Sequence, residues 1–92
     1  MKSLDEYRVE IDALDQQLLK CIAARVEVCK KVAEYKRNNN IPMMQPDRVK
    51  TVLENVCRSA EKYGLSADLI KKIYAEMHAE IFKIEDEIID AH

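Results

Sequence analysis

The stretch LDEYRVEIDALDQQLLKCIAARVEVCKKVAEYKR, residues 4–37, decides the fold. Two heptad series interleave along it: Leu4, Ile11, Leu18, Arg25 and Val32, and Tyr7, Leu14, Cys21, Val28 and Tyr35. Nine of these ten positions are apolar or aromatic, and no glycine or proline interrupts them. Such a pattern specifies one long helix whose seam packs on another helix. At 1.5 Å per residue that helix is about 50 Å long. A compact chain of 92 residues has a radius of gyration of about 12 Å, so the helix overhangs its own domain and needs a partner to cover it.

The remainder supplies two shorter helices. Asn38, Asn39 and Asn40 end the first, and Pro42 disfavours helical backbone at Ile41. Pro46 suits the first position of a second helix running to about Tyr63, with Val49, Val52, Leu53, Val56 and Ala60 as its apolar stripe. Gly64 fits a left-handed C-cap, and Ser66 fits the N-cap of a third helix, with Asp68 near the positive end of its dipole. That helix carries Ile70, Ile73, Tyr74, Met77, Ile81, Ile84 and Ile88 at spacings of three and four. The expectation is an all-α fold: a three-helix chain with a long first helix, one domain over residues 1–92, completed as a homodimer.

Composition agrees and narrows the function classes. With 48% hydrophobic and 35% charged residues, one glycine and two prolines, the chain has too few turn residues for a sheet protein. Its formal net charge is -2 with acids and bases interspersed, which argues against nucleic-acid binding by bulk charge. No apolar run reaches the length of a signal or membrane-spanning segment, so no membrane partner and a cytoplasmic location are expected. Cys21, Cys29 and Cys57 lack a C-x-x-C spacing, and His78 and His92 stand far along the chain, so the cysteines read as reduced and no metal site is expected.

Arg25 is the informative anomaly, because its seam neighbours one heptad away are Leu18 and Val32. A guanidinium in a seam must be paired or must meet an anion. Spacing alone leaves both open, a structural ion pair or an anion site inside a bundle. Arg8 and Lys36 share a flank of the same helix with Ile22 and Cys29, but they are 28 residues, or about 42 Å, apart. One small ligand could meet both only if Arg8 came from an antiparallel partner. On the third helix, Glu85 follows Ile81 by one turn and His78 by two; read singly, Glu85 is a surface carboxylate and His78 a packing residue. Hydrolytic, phosphoryl-transfer and redox motifs are absent.

The order Arg8-x-x-Ile11-x-x-Leu14-Asp15, Leu18, Arg25, Lys36, Ile41-Pro42, Pro46-Asp47-Arg48, Gly64-Leu65 and the closing helix resembles the all-helical chorismate mutase family along nearly the whole chain. The resemblance implies an intertwined homodimer with shared active sites and a small dicarboxylate substrate, with no cofactor. It places Arg25, Arg48 and the partner's Arg8 on the substrate carboxylates, for which permanently charged bidentate donors are suited. It places Lys36 and Glu85 at the ether oxygen whose bond breaks, as catalytic residues, and Gln45, Val49 and Ile81 against the substrate.

Three positions depart from the common bacterial pattern that the resemblance brings with it. Glu85 stands where many bacterial members have glutamine, although fungal members are similar in using glutamate. Gln45 and Val49 stand where acidic residues are usual, the second of which serves the ring hydroxyl of chorismate. The loop and the start of the second helix look closer to the branch acting on 4-amino-4-deoxychorismate, and Val49 is also similar to isochorismate pyruvate lyases. The expected reaction is the rearrangement of chorismate, or of its 4-amino analogue, to prephenate or its amino counterpart. The alternatives are a lyase releasing salicylate and pyruvate, and a non-catalytic helical dimer in which Arg25 pairs with a buried acid and no pocket forms.

Overall fold

The computed structural model describes residues 2–90. Three helices follow in order: α1 (Leu4–Asn38), α2 (Pro46–Lys62) and α3 (Ala67–Asp90). Among the described residues there is no strand.

Each boundary has a local cause. Ser3 Oγ accepts from the Glu6 N–H at 3.2 Å and opens α1, a cap worth about 1 kcal/mol. α1 and α2 then close in the same way. Beyond α1, Asn40 takes φ 55°, and the Ile41 N–H donates to the Lys36 carbonyl at 2.9 Å. Beyond α2, Gly64 takes φ 70°, and the Leu65 N–H donates to the Ala60 carbonyl at 2.9 Å. Both are Schellman closures that satisfy carbonyls the helix leaves open. Glycine adopts the left-handed conformation freely, and asparagine is among the few other residues that tolerate it. Pro46 begins α2, where an N–H would be unsatisfied in any case. Ser66 Oγ accepts from the Leu69 N–H at 3.3 Å at the start of α3.

α3 packs against both α1 and α2, and those two do not pack on each other. The chain measures 57 × 26 × 15 Å with a radius of gyration of 16.8 Å, well above the roughly 12 Å of a compact chain this long. α1 causes the difference, since every described residue before Ile22 is exposed. From there on, Ile22, Arg25, Val26, Cys29, Lys36 and Arg37 are half-buried and Ala33 is fully buried. The face turned to α3 is therefore mainly the flank with Ile22, Cys29 and Lys36, and most of the heptad seam is bare. Leu4, Tyr7, Ile11, Leu14, Leu18, Val28, Val32 and Tyr35 are all exposed. One neighbouring helix can cover only one stripe of α1, so the second stripe has no cover within the chain.

The core is correspondingly small. Ala33, Ala60 and Ile81 are its buried apolar residues, with Glu85 buried among them. An exposed apolar surface of this extent is unusual for a monomeric protein. Arg37 Nη1 donates to the Ile88 carbonyl at 3.0 Å and ties the C-terminal ends of α1 and α3, a position where a cation also suits the helix dipole. Among the described residues no helix is long and apolar enough to cross a membrane.

Candidate active site

Because α3 holds α1 and α2 apart, the gap between them is a cavity of about 300 Å³. α1 lines it with Arg25, Val28, Cys29, Val32 and Lys36. The loop before α2 and that helix's first turns add Met43, Gln45, Arg48, Val49 and Val52. His78, Ile81, Phe82 and Glu85 of α3 complete it. Apolar walls with a few converging polar groups are the usual make-up of a small-ligand site.

Of the residues expected at a site, Arg25, Lys36, Gln45, Arg48, Val49, Ile81 and Glu85 thus meet at one cavity. Arg8 is not among them. It lies on the exposed half of α1, with Asp5 at 3.8 Å.

Arg25 has no carboxylate partner among the described residues. Its Nη1 is 3.8 Å from Cys29 Sγ, and its guanidinium sits 5.6 Å from the centre of the Tyr74 ring. The ring face attracts the cation without neutralising it. Of the two readings open for an arginine in the seam, a buried ion pair is not formed and a cavity is.

Lys36 Nζ donates to the Met43 carbonyl at 3.0 Å, which fixes the ammonium against the loop while two of its three N–H groups stay free to donate. Arg48 follows Pro46 by two residues, so the start of α2 carries it to the cavity rim.

Glu85 is 6% exposed, and its Oε2 is buried without a hydrogen-bond partner. Burial pushes its carboxyl above the ordinary range, Lys36 opposes that, and Asp86 adds to it. Burial prevails because an unpaired carboxylate loses its hydration in this wall. A carboxyl that keeps its proton can donate one hydrogen bond.

His78 is a member of the cavity that sequence reasoning left as packing. Burial first, and the Arg25 charge second, hold its imidazole below the ordinary pKa. The available signal was its spacing of two turns from Glu85, which puts both side chains on one face of α3.

Three cations and a carboxyl whose burial favours its protonated form, set around apolar walls, can bind a small dianion and present donors to charge that develops on it. Among the described residues no cluster of His, Cys, Asp and Glu could hold a metal ion.

The family described as chorismate mutase type II matches residues 7–86. A 4-amino-4-deoxychorismate mutase of Streptomyces pristinaespiralis is 36% identical over 86 residues, covering 94% of this chain and 67% of that protein. Another 4-amino-4-deoxychorismate mutase, from Streptomyces venezuelae, is 35% identical over 83 residues, covering 90% and 81%. A chorismate mutase of Methanocaldococcus jannaschii is 31% identical over 74 residues, covering 80% and 75%. No solved structure matches the chain.

Proposed function

The chain belongs to the chorismate mutase type II family and is an isomerase of that class, and from this premise we propose that it rearranges 4-amino-4-deoxychorismate, as a single-domain chain in a dimer that shares its sites. The observation that carries the reading is the cavity in which Arg25, Lys36, Arg48 and the buried Glu85 converge.

The rearrangement breaks the ether C–O bond as a new C–C bond forms, so negative charge grows on the ether oxygen while the ring becomes partly cationic. Arg25, Arg48 and Arg8 of the partner subunit hold the two carboxylates. Lys36 and protonated Glu85 donate to the ether oxygen. Both donations strengthen as the oxygen gains charge, so they favour the transition state over the ground state. Ile81 and the valines of the walls hold the ring and exclude water.

Two features support the 4-amino substrate over chorismate. Two relatives carry that activity in their names. Gln45 and Val49 leave the α2 wall without a carboxylate for a ring hydroxyl.

The dimer is supported by the bare seam of α1 and the small core. It is also supported by Arg8, which shares the flank of Lys36 but stands about 42 Å from it along the helix. Only an antiparallel second copy brings such a residue to the cavity.

The test presents 4-amino-4-deoxychorismate, chorismate and isochorismate separately and identifies the products. The expected result is the amino counterpart of prephenate, formed with a higher kcat/KM than prephenate from chorismate. A preference for chorismate overturns the substrate assignment, and free pyruvate from isochorismate in their place assigns the chain to the lyase reaction.

A further inference from the structure

Resting on the reading of the cavity as a dicarboxylate site, we propose that His78 is a further substrate-binding residue, which completes with Arg25 the seat of one substrate carboxylate. Tyr74, His78 and Phe82 stand one turn apart along α3 and form a column of rings. The His78 ring is 6.0 Å from Tyr74 in an edge-on arrangement and 6.1 Å from Phe82 in a stacked one. Arg25 closes the Tyr74 end of the column, with its guanidinium 5.6 Å from that ring.

This arrangement fixes the orientation of the imidazole before any ligand arrives. His78 and Arg25 both border the cavity, and neither ring nitrogen of His78 has a hydrogen-bond partner among the described residues. An oriented, unpaired N–H beside a guanidinium is a second donor for an oxygen that the guanidinium attracts. Lys36 and Glu85 serve the other end. His78 precedes Glu85 by seven residues, or about 10 Å of helix, which separates a carboxylate seat from the ether oxygen.

The charged groups around His78 give the seat a signature. Arg25 and Lys36 of α1, Arg48 at the start of α2 and Glu85 of α3 line the same cavity as His78, and Arg25 acts on its imidazole directly. Burial first, and Arg25 second, hold the imidazole below its ordinary pKa and so favour its neutral form. A carboxylate that docks on Arg25 offsets that charge and raises the imidazole's affinity for a proton. Binding then takes up a proton, so it is tightest at low pH and weakens as pH rises through the pKa of the complex.

The experiment measures kcat and KM with the preferred substrate for the parent, H78F and H78Q proteins, from about pH 5.5 to about pH 8.5. H78F keeps the ring column but removes the donor, and should raise KM about tenfold while kcat stays within about threefold. H78Q keeps a neutral donor that does not titrate, so its KM should stay near the high-pH value of the parent, where the imidazole is also neutral, and lose the fall toward low pH. An unchanged KM in H78F, or a parent-like pH dependence of KM in H78Q, overturns the seat. If H78F fails to fold by circular dichroism, the H78Q profile decides alone. A parent protein that rearranges none of the three substrates overturns the proposed function and the seat together, whereas an active parent with an indifferent H78F overturns the seat only.

Discussion

Lys36 and Glu85 reach one cavity from different helices and form no ion pair there: the ammonium is held by the Met43 carbonyl at 3.0 Å, while Oε2 of Glu85 is buried with no partner. Lys36 lowers the Glu85 pKa, but burial raises it by more. An ionised Glu85 would be drawn to Lys36 and cancel its charge. A neutral one leaves two donors facing the same space, which is what an oxygen that becomes negative requires.

Truncating Lys36 to alanine should lower kcat by about a hundredfold or more, with a smaller effect on KM, because its contact to the ether oxygen strengthens only in the transition state. The same change removes the hydrogen bond to the loop, which should cost about 1 kcal/mol of stability. Steady-state kinetics with chorismate and its 4-amino analogue, beside a thermal melt, separates the two effects. A kcat near the parent value would sink the role assigned to Lys36.

Mixing Arg8→Ala chains with Arg25→Ala chains should restore activity that neither has alone. In a mixed dimer one site inherits both defects and the other inherits neither. With free exchange at equal amounts, about a quarter of parental activity is expected, since half the dimers are mixed and each has one intact site. Absence of rescue, with exchange verified by mass spectrometry of tagged chains, would rule out a shared site.

How far the sequence was legible follows from what each residue answers to. The turn at Gly64 and the cap at Ser66 are set by groups within a few residues, and the cap and left-handed backbone form as local chemistry requires. Arg25 was legible as an anomaly because its seam neighbours are apolar, and the structure gives it a cavity in place of an acid. Which stripe of α1 meets α3 was not legible, since the seam and the flank are both continuous and only the tertiary arrangement chooses between them. The gap between α1 and α2 was hidden for the same reason. His78 was missed because its position fits an amphipathic stripe equally well, and its place beside Arg25 at the cavity arises only in the folded chain.

Val49→Glu should raise kcat/KM with chorismate relative to the parent, because a carboxylate restored to that wall can accept from the ring hydroxyl. A single good polar contact of this kind is worth about tenfold. Measuring both substrates with both proteins checks it, and an unchanged ratio would mean that Val49 does not face the ring substituent.

Glu85 makes the last prediction, because its pKa direction fixes the sign of two pH dependences. As the donor to the ether oxygen it must be protonated, so kcat should fall as pH rises through its pKa in the complex. Glu85→Gln donates at every pH, so its kcat should be flat over that range. Stability follows the same group. The folded pKa lies above the ordinary 4.5, so the folded state holds this proton more tightly than the unfolded chain. The stability contributed is fully present below about pH 4.5 and is lost as pH rises through the folded value. Thermal melts of the parent should therefore drop relative to those of Glu85→Gln as pH rises from about 4.5 through the folded value. The two measurements are independent: a merely buried Glu85 would move the melts and leave kcat indifferent to the substitution. A parent and a Glu85→Gln protein with the same alkaline limb in kcat would return Glu85 to a structural role.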